Sequence, residues 1–503
     1  MSNIEEGAES RGSLADRFSN WRRLVDRQVG QAGSGACFDE SFEALPGGLK
    51  EAFAKTLALA AARKGDEEAL SVALRSCPAS HKDGRGVSLS HFAAAWMSPN
   101  MLIALAEAGA NLSASDVLGR TPLDCAVEAG REACVEALLA RGVRPARSKS
   151  AAREGLGGWN CLHEAARRGD VGIAERLLAA GADIDATNAG GNTALSLAAG
   201  NGRIEMTRLL LGRGASASLQ ENFGAAPLHA ACESGHEACV KDLLAHGADP
   251  EMRRGASTAL LAATRSKSAR CVQELARHGA NLDAMDGNGN TALIIACCGP
   301  IDEQALSIIE ELARAGASRE QANNEGAFPL SALATRMHER SWLAEHADRG
   351  RARLEIALRA MEVVGQGVNH DHADIYGMTP AMRAAIAGSP SALALLSRGG
   401  ADLNKECSIG ADEAKGLKVP GFGTGCTPAI FCAATGNLAC LLKLDELGVD
   451  ILAANSLGVT PKAAAERFAQ RSVATALTVL GERAEIERGL PMPNIVRRTG
   501  GRI

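Results

Sequence analysis

Between Ala226 and Asp249, apolar, small and polar residues follow a pattern that predicts two short helices and a stop. Val240, Leu243 and Leu244 fall at i, i+3 and i+4, which makes one apolar helix face. Pro227 suits a first helical turn, where its missing N–H goes unused. Ala230, Ala231 and Cys232 are small enough for another backbone to pack closely. Gly235 and Gly247 end the two runs, where a residue tolerant of positive φ is needed. Helices this short are not stable alone in water, so the stretch requires copies of itself alongside.

Those copies recur in a register of about 33 residues. Its first positions are Thr56, Ser88, Thr121, Asn160, Thr193, Ala226, Thr258, Thr291, Phe328, Thr379, Thr427 and Thr460. A second landmark keeps step, running from Gly109, Gly142 and Gly181 to Gly400 and Gly448, each followed by Ala or Val. Asp286-Gly287-Asn288-Gly289 predicts a tight turn between two helical patterns, and Asp116, Glu221, Asp374 and Asn455 precede similar turns. Four insertions break the register: Gly142 to Trp159, a few residues around Asp302, a stretch including Arg349 to Arg353, and Lys405 to Thr424. Such insertions are commonly functional, yet loop length by itself costs little stability.

The unit resembles the ankyrin repeat, on TPLDCAVEAG from Thr121, CLHEAARRGD from Cys161 and PLHAACESGH from Pro227. The likeness covers about Thr56 to Leu480. It departs from the pattern at Ser88 to Met97, at Pro300 and at Lys267, where helix-end glycines are missing. The resemblance implies an all-α solenoid of about twelve repeats, each a helix-turn-helix unit with a hairpin loop. Residues 1–55 form an N-terminal part with an amphipathic helix on Leu14, Phe18, Trp21, Val25 and Val29. Residues 56–485 form the solenoid, and residues 486–503 a basic tail expected to be disordered.

Hydrophobic residues make up 46% of the 503 positions and aromatics only 3%, which suits close helix packing and argues against an aromatic-rich sandwich. The net charge of −5 identifies no partner. Met1 to Ser10 is acidic and polar, unlike a secretory signal, and no apolar run reaches the roughly 20 residues of a membrane helix. Fourteen cysteines include no C-x-x-C pair. Cys134, Cys239, Cys271 and Cys440 share one repeat slot where other copies carry aliphatic residues, which reads as packing by buried, reduced thiols. A reducing compartment follows, the cytoplasm first and the nucleus second.

Catalytic and metal constellations dissolve when placed in register. His163 and His229 hold the H of T-P-L-H, which the resemblance assigns to hydrogen bonding between loops. His370, Asp371, His372 and Asp374 lack a completing ligand at helical spacing. Gly421 to Gly425 lacks the ending of a phosphate loop, and DGNGN from Asp286 lacks the calcium-loop ligand pattern. No cofactor, metal or enzymatic activity is expected.

The resemblance places partner contacts at first-helix ends and hairpin tips. Those slots hold Arg63, Lys64, Arg85, Trp96, Arg120, Arg167, Arg168, Phe223, Arg254, Arg265, Tyr376 and Arg467, against the acidic Glu128, Glu233 and Glu325. Arginine and aromatic anchors with positive potential suit an acidic protein partner. Nucleic acid is not favoured, since the chain is not basic overall. Asn404, following Leu396, Asp402 and Leu403, matches the pattern modified by asparaginyl hydroxylases, and Ser150, three residues after Arg147, matches a basophilic kinase site. The expected function is a non-catalytic scaffold or adaptor. The alternative is a substrate-recruiting subunit of a ubiquitin ligase or kinase complex docked on residues 1–55 through Trp21.

Overall fold

The computed structural model describes residues 47–145, 159–219, 226–339, 342, 347–408 and 425–487. The helix expected over Leu14 to Val29, Phe223, Ser150 and residues 488–503 lie outside them. The described residues are helical almost throughout, with 24 helices taken in consecutive pairs. One two-stranded antiparallel ribbon joins Arg253–Arg254 to Ser257–Thr258. The all-α repeat class is therefore observed.

The chain divides into two compact units. In the first, Gly47–Lys64 pairs with Glu67–Leu74, Leu89–Trp96 with Pro99–Glu107, and Pro122–Glu128 with Glu132–Ala140. Cys161–Arg168 with Val171–Ala179 and Ala194–Gly200 with Ile204–Gly212 follow. First helices lie beside first helices and second beside second, and Leu105, Leu138, Leu177 and Leu210 are buried between them. Each such leucine contributes about 1.5–3 kcal/mol.

In the second unit the pairs run from Ala259–Arg265 with Ala269–Arg277 to Pro461–Arg467 with Arg471–Glu487. Two long second helices lie at insertions here. The second helix Glu303–Ala315 has 13 residues and Ala347–Gly365 has 19, against 9 in Ala269–Arg277. Glu339, buried within the second of these insertions, accepts hydrogen bonds from Ser389 Oγ at 2.7 Å, Ser391 N at 3.1 Å and Ser391 Oγ at 2.9 Å. It thereby satisfies free N-terminal groups of helix Pro390–Arg398.

The register's first positions are helix caps. Ser88, Thr121, Asn160, Thr193, Thr258, Thr291, Phe328, Thr379, Thr427 and Thr460 each sit at an N-cap with extended backbone. Thr56 differs, since its helix begins at Gly47. Lys267, in place of a helix-end glycine, adopts the left-handed conformation at φ 59.

The turn signals become a common hairpin. Asp83, Asp116, Asn188, Asp286, Asn323, Asp374 and Asn455 each use Oδ1 to accept main-chain N–H bonds from the residues two and four positions on. The main chain adds two cross-hairpin bonds, as in Asp116 N to Arg120 O at 3.0 Å and Gly119 N to Asp116 O at 3.0 Å. This is a bulge with a left-handed glycine. Gly326 shows why glycine is needed: at φ 68, a Cβ there would stand 2.6 Å from Ile375 N on the next hairpin.

Candidate protein-interaction surface

Within the first unit, the ends of helices Gly47–Lys64 and Leu89–Trp96 and the hairpins at Asp83 and Asp116 enclose a groove of about 1340 Å³. It brings together Arg63, Arg85, Trp96 and Arg120 from the sequence-derived set. Trp96 is 63% exposed, and Val117, at a hairpin tip, is 67% exposed. Val117 N donates to Arg85 O at 3.1 Å, which sets the two tips side by side.

The arginines differ in their freedom to meet a partner. Arg63 lies 3.2 Å from Asp83 Oδ2, with its guanidinium 5.7 Å from the centre of the Phe92 ring. Arg120 bonds Asp116 Oδ2 at 2.9 Å and approaches Glu128 at 3.6 Å. Arg131 donates to Met97 O at 2.7 Å. Arg85 is exposed, and no carboxylate lies within ion-pair distance of it among the described residues. Burial opposes ionisation of Asp83, but N–H bonds from Val87 and Arg85 and the Arg63 guanidinium outweigh it, holding its carboxyl below the ordinary value.

The remaining set is spread over other surfaces. Arg167 pairs with Glu164 at 2.6 Å. Arg168 folds back on Asp170 at 2.7 Å and on Glu128 O at 2.9 Å. In the second unit Arg254 pairs with Glu233 at 2.9 Å and Arg265 with Asp286 at 2.8 Å. Tyr376 is half-buried with the Arg383 guanidinium 6.0 Å from its ring centre, and Arg467 lies 5.9 Å from Phe468. Lys64 is exposed at its helix end. Asn404 is exposed, its N–H donating to Asp402 Oδ1 at 2.9 Å. Intramolecular pairing therefore makes the surface less basic than its residue types suggest.

The groove also holds residues that slot reading did not select, namely Phe92, Val117, Leu118 and Arg131. Val117-Leu118 in the turn Asp116 to Arg120 carried a signal, since apolar residues at a tight-turn tip have no core to enter.

The histidines of the T-P-L-H slot make structural hydrogen bonds here. His163 is buried, its Nδ1 accepting from Asn160 N at 3.1 Å and its Nε2 lying 3.0 Å from Ala186 O and 3.1 Å from Asn192 O. His91 repeats this in the copy that departs from the pattern, bonding Ser88 N at 3.1 Å and Arg120 O at 2.9 Å. Burial pushes its pKa down, with the Arg120 carbonyl opposing. Cys125 borders the groove, where burial raises its thiol to about 12. All described cysteines are reduced and buried or half-buried. Among the described residues no group of His, Cys, Asp and Glu has a metal-binding arrangement, and no helix is long and apolar enough to cross a membrane.

Stacked helix pairs with Asx-clamped hairpins define an all-α repeat protein. A family model described as ankyrin repeats (3 copies) matches residues 57–149 and 162–254. Those residues are therefore ankyrin repeats. A crystal structure of the human ASB11 ankyrin repeat domain is similar over 48% of this chain and 98% of that one, with 23% identity and a TM-score of 0.39. No curated protein matches significantly. Ankyrin repeats indicate a protein–protein interaction domain, a fold that is typically non-catalytic.

Proposed function

We propose that the chain is a non-catalytic scaffold or adaptor that captures a protein partner in the groove between Arg63 and Arg131. The observation that carries this reading is Trp96 and Val117 standing exposed beside Arg85. A large aromatic, a neighbouring aliphatic and an uncompensated guanidinium are the elements of an interface anchor. Among the lining residues Arg63, Arg85, Arg120 and Arg131 outnumber Asp83, Asp116 and Glu128, which supports a partner segment with acidic and apolar residues.

The test is affinity purification of the full chain from cells, with quantitative mass spectrometry of the bound proteins. Trp96→Ala and Arg85→Glu should each deplete a common set of partners, while Arg208→Glu on a second helix leaves them bound. Equal recovery with all three chains overturns the reading. The ligase or kinase-recruiting role is distinguished in the same experiment, because removal of residues 1–46 should then release an enzyme component while groove partners stay. Cytoplasmic or nuclear residence is read by imaging the tagged chain.

A further inference from the structure

Beyond binding, one hairpin of the second unit departs from the common frame in a way that points to covalent chemistry. Cys407 N donates to Cys426 O at 3.0 Å, and Gly425 N donates to Cys407 O at 2.8 Å with Gly425 at φ 89. These are the two cross-hairpin bonds of the other seven hairpins, including the left-handed glycine. Cys407 thus takes the place of the clamping Asp or Asn, and Cys426 the place of the residue it clamps. Residues 408–424 separate Cys407 from Gly425, where each of the other seven hairpins has two residues.

The substitution removes the oxygen clamp, and Cys407 Sγ lies 3.5 Å from Tyr376 O and 3.9 Å from Met378 Sδ. In the common hairpin, Oδ1 of the first position holds the N–H of the last, as Asp116 holds Arg120 at 2.9 Å. A cysteine provides no carboxylate or amide oxygen for that bond. The side chains at these two positions can also meet directly: Asp116 Oδ2 lies 2.9 Å from Arg120 Nε, and Asp286 Oδ2 lies 3.5 Å from Asn290 Nδ2. Cys407 N donates to Cys426 O and the return bond comes from the adjacent Gly425, so the two cysteines oppose each other across a bulge, the cross-strand placement that a disulfide, with Cα atoms roughly 4.4–6.8 Å apart, needs. Cys407 is 5% and Cys426 8% exposed.

We propose that Cys407 and Cys426 form a reversible disulfide that replaces the Asx clamp and covalently closes this hairpin around its insertion. The oxidant is a low-molecular-weight disulfide such as oxidised glutathione. The thiolate of one cysteine attacks it, forming a mixed disulfide and releasing one small thiol. The thiolate of the other cysteine then attacks the protein sulfur of that mixed disulfide and releases the second small thiol. Two electrons and two protons pass from the protein thiols to the oxidant, which leaves as two thiols.

The full native chain should be incubated with oxidised glutathione, alkylated, and cut with trypsin and chymotrypsin. Cleavage after Lys405, Lys415, Phe422 and Phe431 isolates the two cysteines on peptides 406–415 and 423–431. The expected product is those peptides joined, and dithiothreitol should separate them. Cys426→Ser should convert the link into a glutathione adduct on Cys407, and Cys298→Ser should leave the link intact. Oxidation should raise the thermal midpoint of the parent and not that of Cys426→Ser. Recovery of both residues as separately alkylated thiols, or linkage of either to Cys432 or Cys440, overturns the assignment. The mapping is made on the unsubstituted chain, so it stands even if a variant fails to fold.

Discussion

Arg265 Nη2 lies 2.8 Å from Asp286 Oδ2, tying the end of one first helix to the hairpin before the next. Arg63 and Asp83 repeat the relationship, at 3.2 Å. Where the clamp is Asn, the second side-chain atom is a donor and turns to other acceptors: Asn323 Nδ2 bonds Asn290 Oδ1 at 2.8 Å, and Asn455 Nδ2 bonds Gly425 O at 2.8 Å. The choice of Asp or Asn at one hairpin position thus decides whether a surface arginine is neutralised from within.

Asp286→Asn should keep the Oδ1 acceptor and lose the arginine pair and the long bond from Asn290 Nδ2, a cost up to about 1 kcal/mol for so exposed a guanidinium. Asp286→Ala should cost about 1–3 kcal/mol, because the N–H groups of Asn288 and Asn290 lose their acceptor. Urea unfolding of the two variants checks this; equal losses would remove the clamp from the account of stability.

Acid should act through the same carboxylates. At Asp83 and Asp286 burial raises the pKa, while hydrogen bonds from the hairpin and the nearby arginine lower it further, so the folded value lies below 3.8. A depressed folded pKa contributes stability that is present above 3.8 and lost as pH falls through the folded value. The double variant Asp83→Asn, Asp286→Asn should therefore show a flatter acid limb than the parent below about pH 4, measured as thermal midpoint against pH.

Gly326→Ala should be more damaging than Gly458→Ala. Both glycines are left-handed, at φ 68 and 75, but a Cβ meets Ile375 N only at Gly326, with nothing within 4 Å at Gly458. The conformational cost alone is about 1–2 kcal/mol, and the close contact adds to it only in the first case. Matching denaturation midpoints for the two variants would show that hairpin spacing is not tight.

Leu243 is fully buried in helix Glu237–Ala245. Leu243→Asp places a charge where no partner exists and should cost more than about 4 kcal/mol. Circular dichroism should show a lower or broadened transition; a parent-like transition would contradict stacking through this face.

Much of the fold was legible because repeats convert local rules into landmarks. Thr121, Thr193 and Thr379 recur where a helix needs a capping oxygen, and they cap. Gly109, Gly181 and Gly247 recur where φ must be positive, and it is. The hairpin at Asp286 was readable from four residues. The groove was legible in part: Arg63, Arg85, Trp96 and Arg120 were selected from their slots, whereas Phe92, Leu118 and Arg131 were not. Their contribution depends on which way a side chain leaves one copy toward the next, and no spacing rule within a copy contains that.

The sequence by itself determined the helical period, the caps, the turn glycines and the packing role of Cys134, since each follows from backbone geometry and from apolar spacing, while the hydrogen-bonding role of His163 came from the family resemblance. Only the tertiary structure decided the electrostatics. Arg168 reaches Glu128 O across 40 residues, and Arg265 meets Asp286 across 21. Such pairs form between copies, where stacking sets the distance. Only the folded hairpin, too, brought Cys407 and Cys426 to the two ends of one clamp, because an insertion separates in sequence what the hairpin bonds hold together in space.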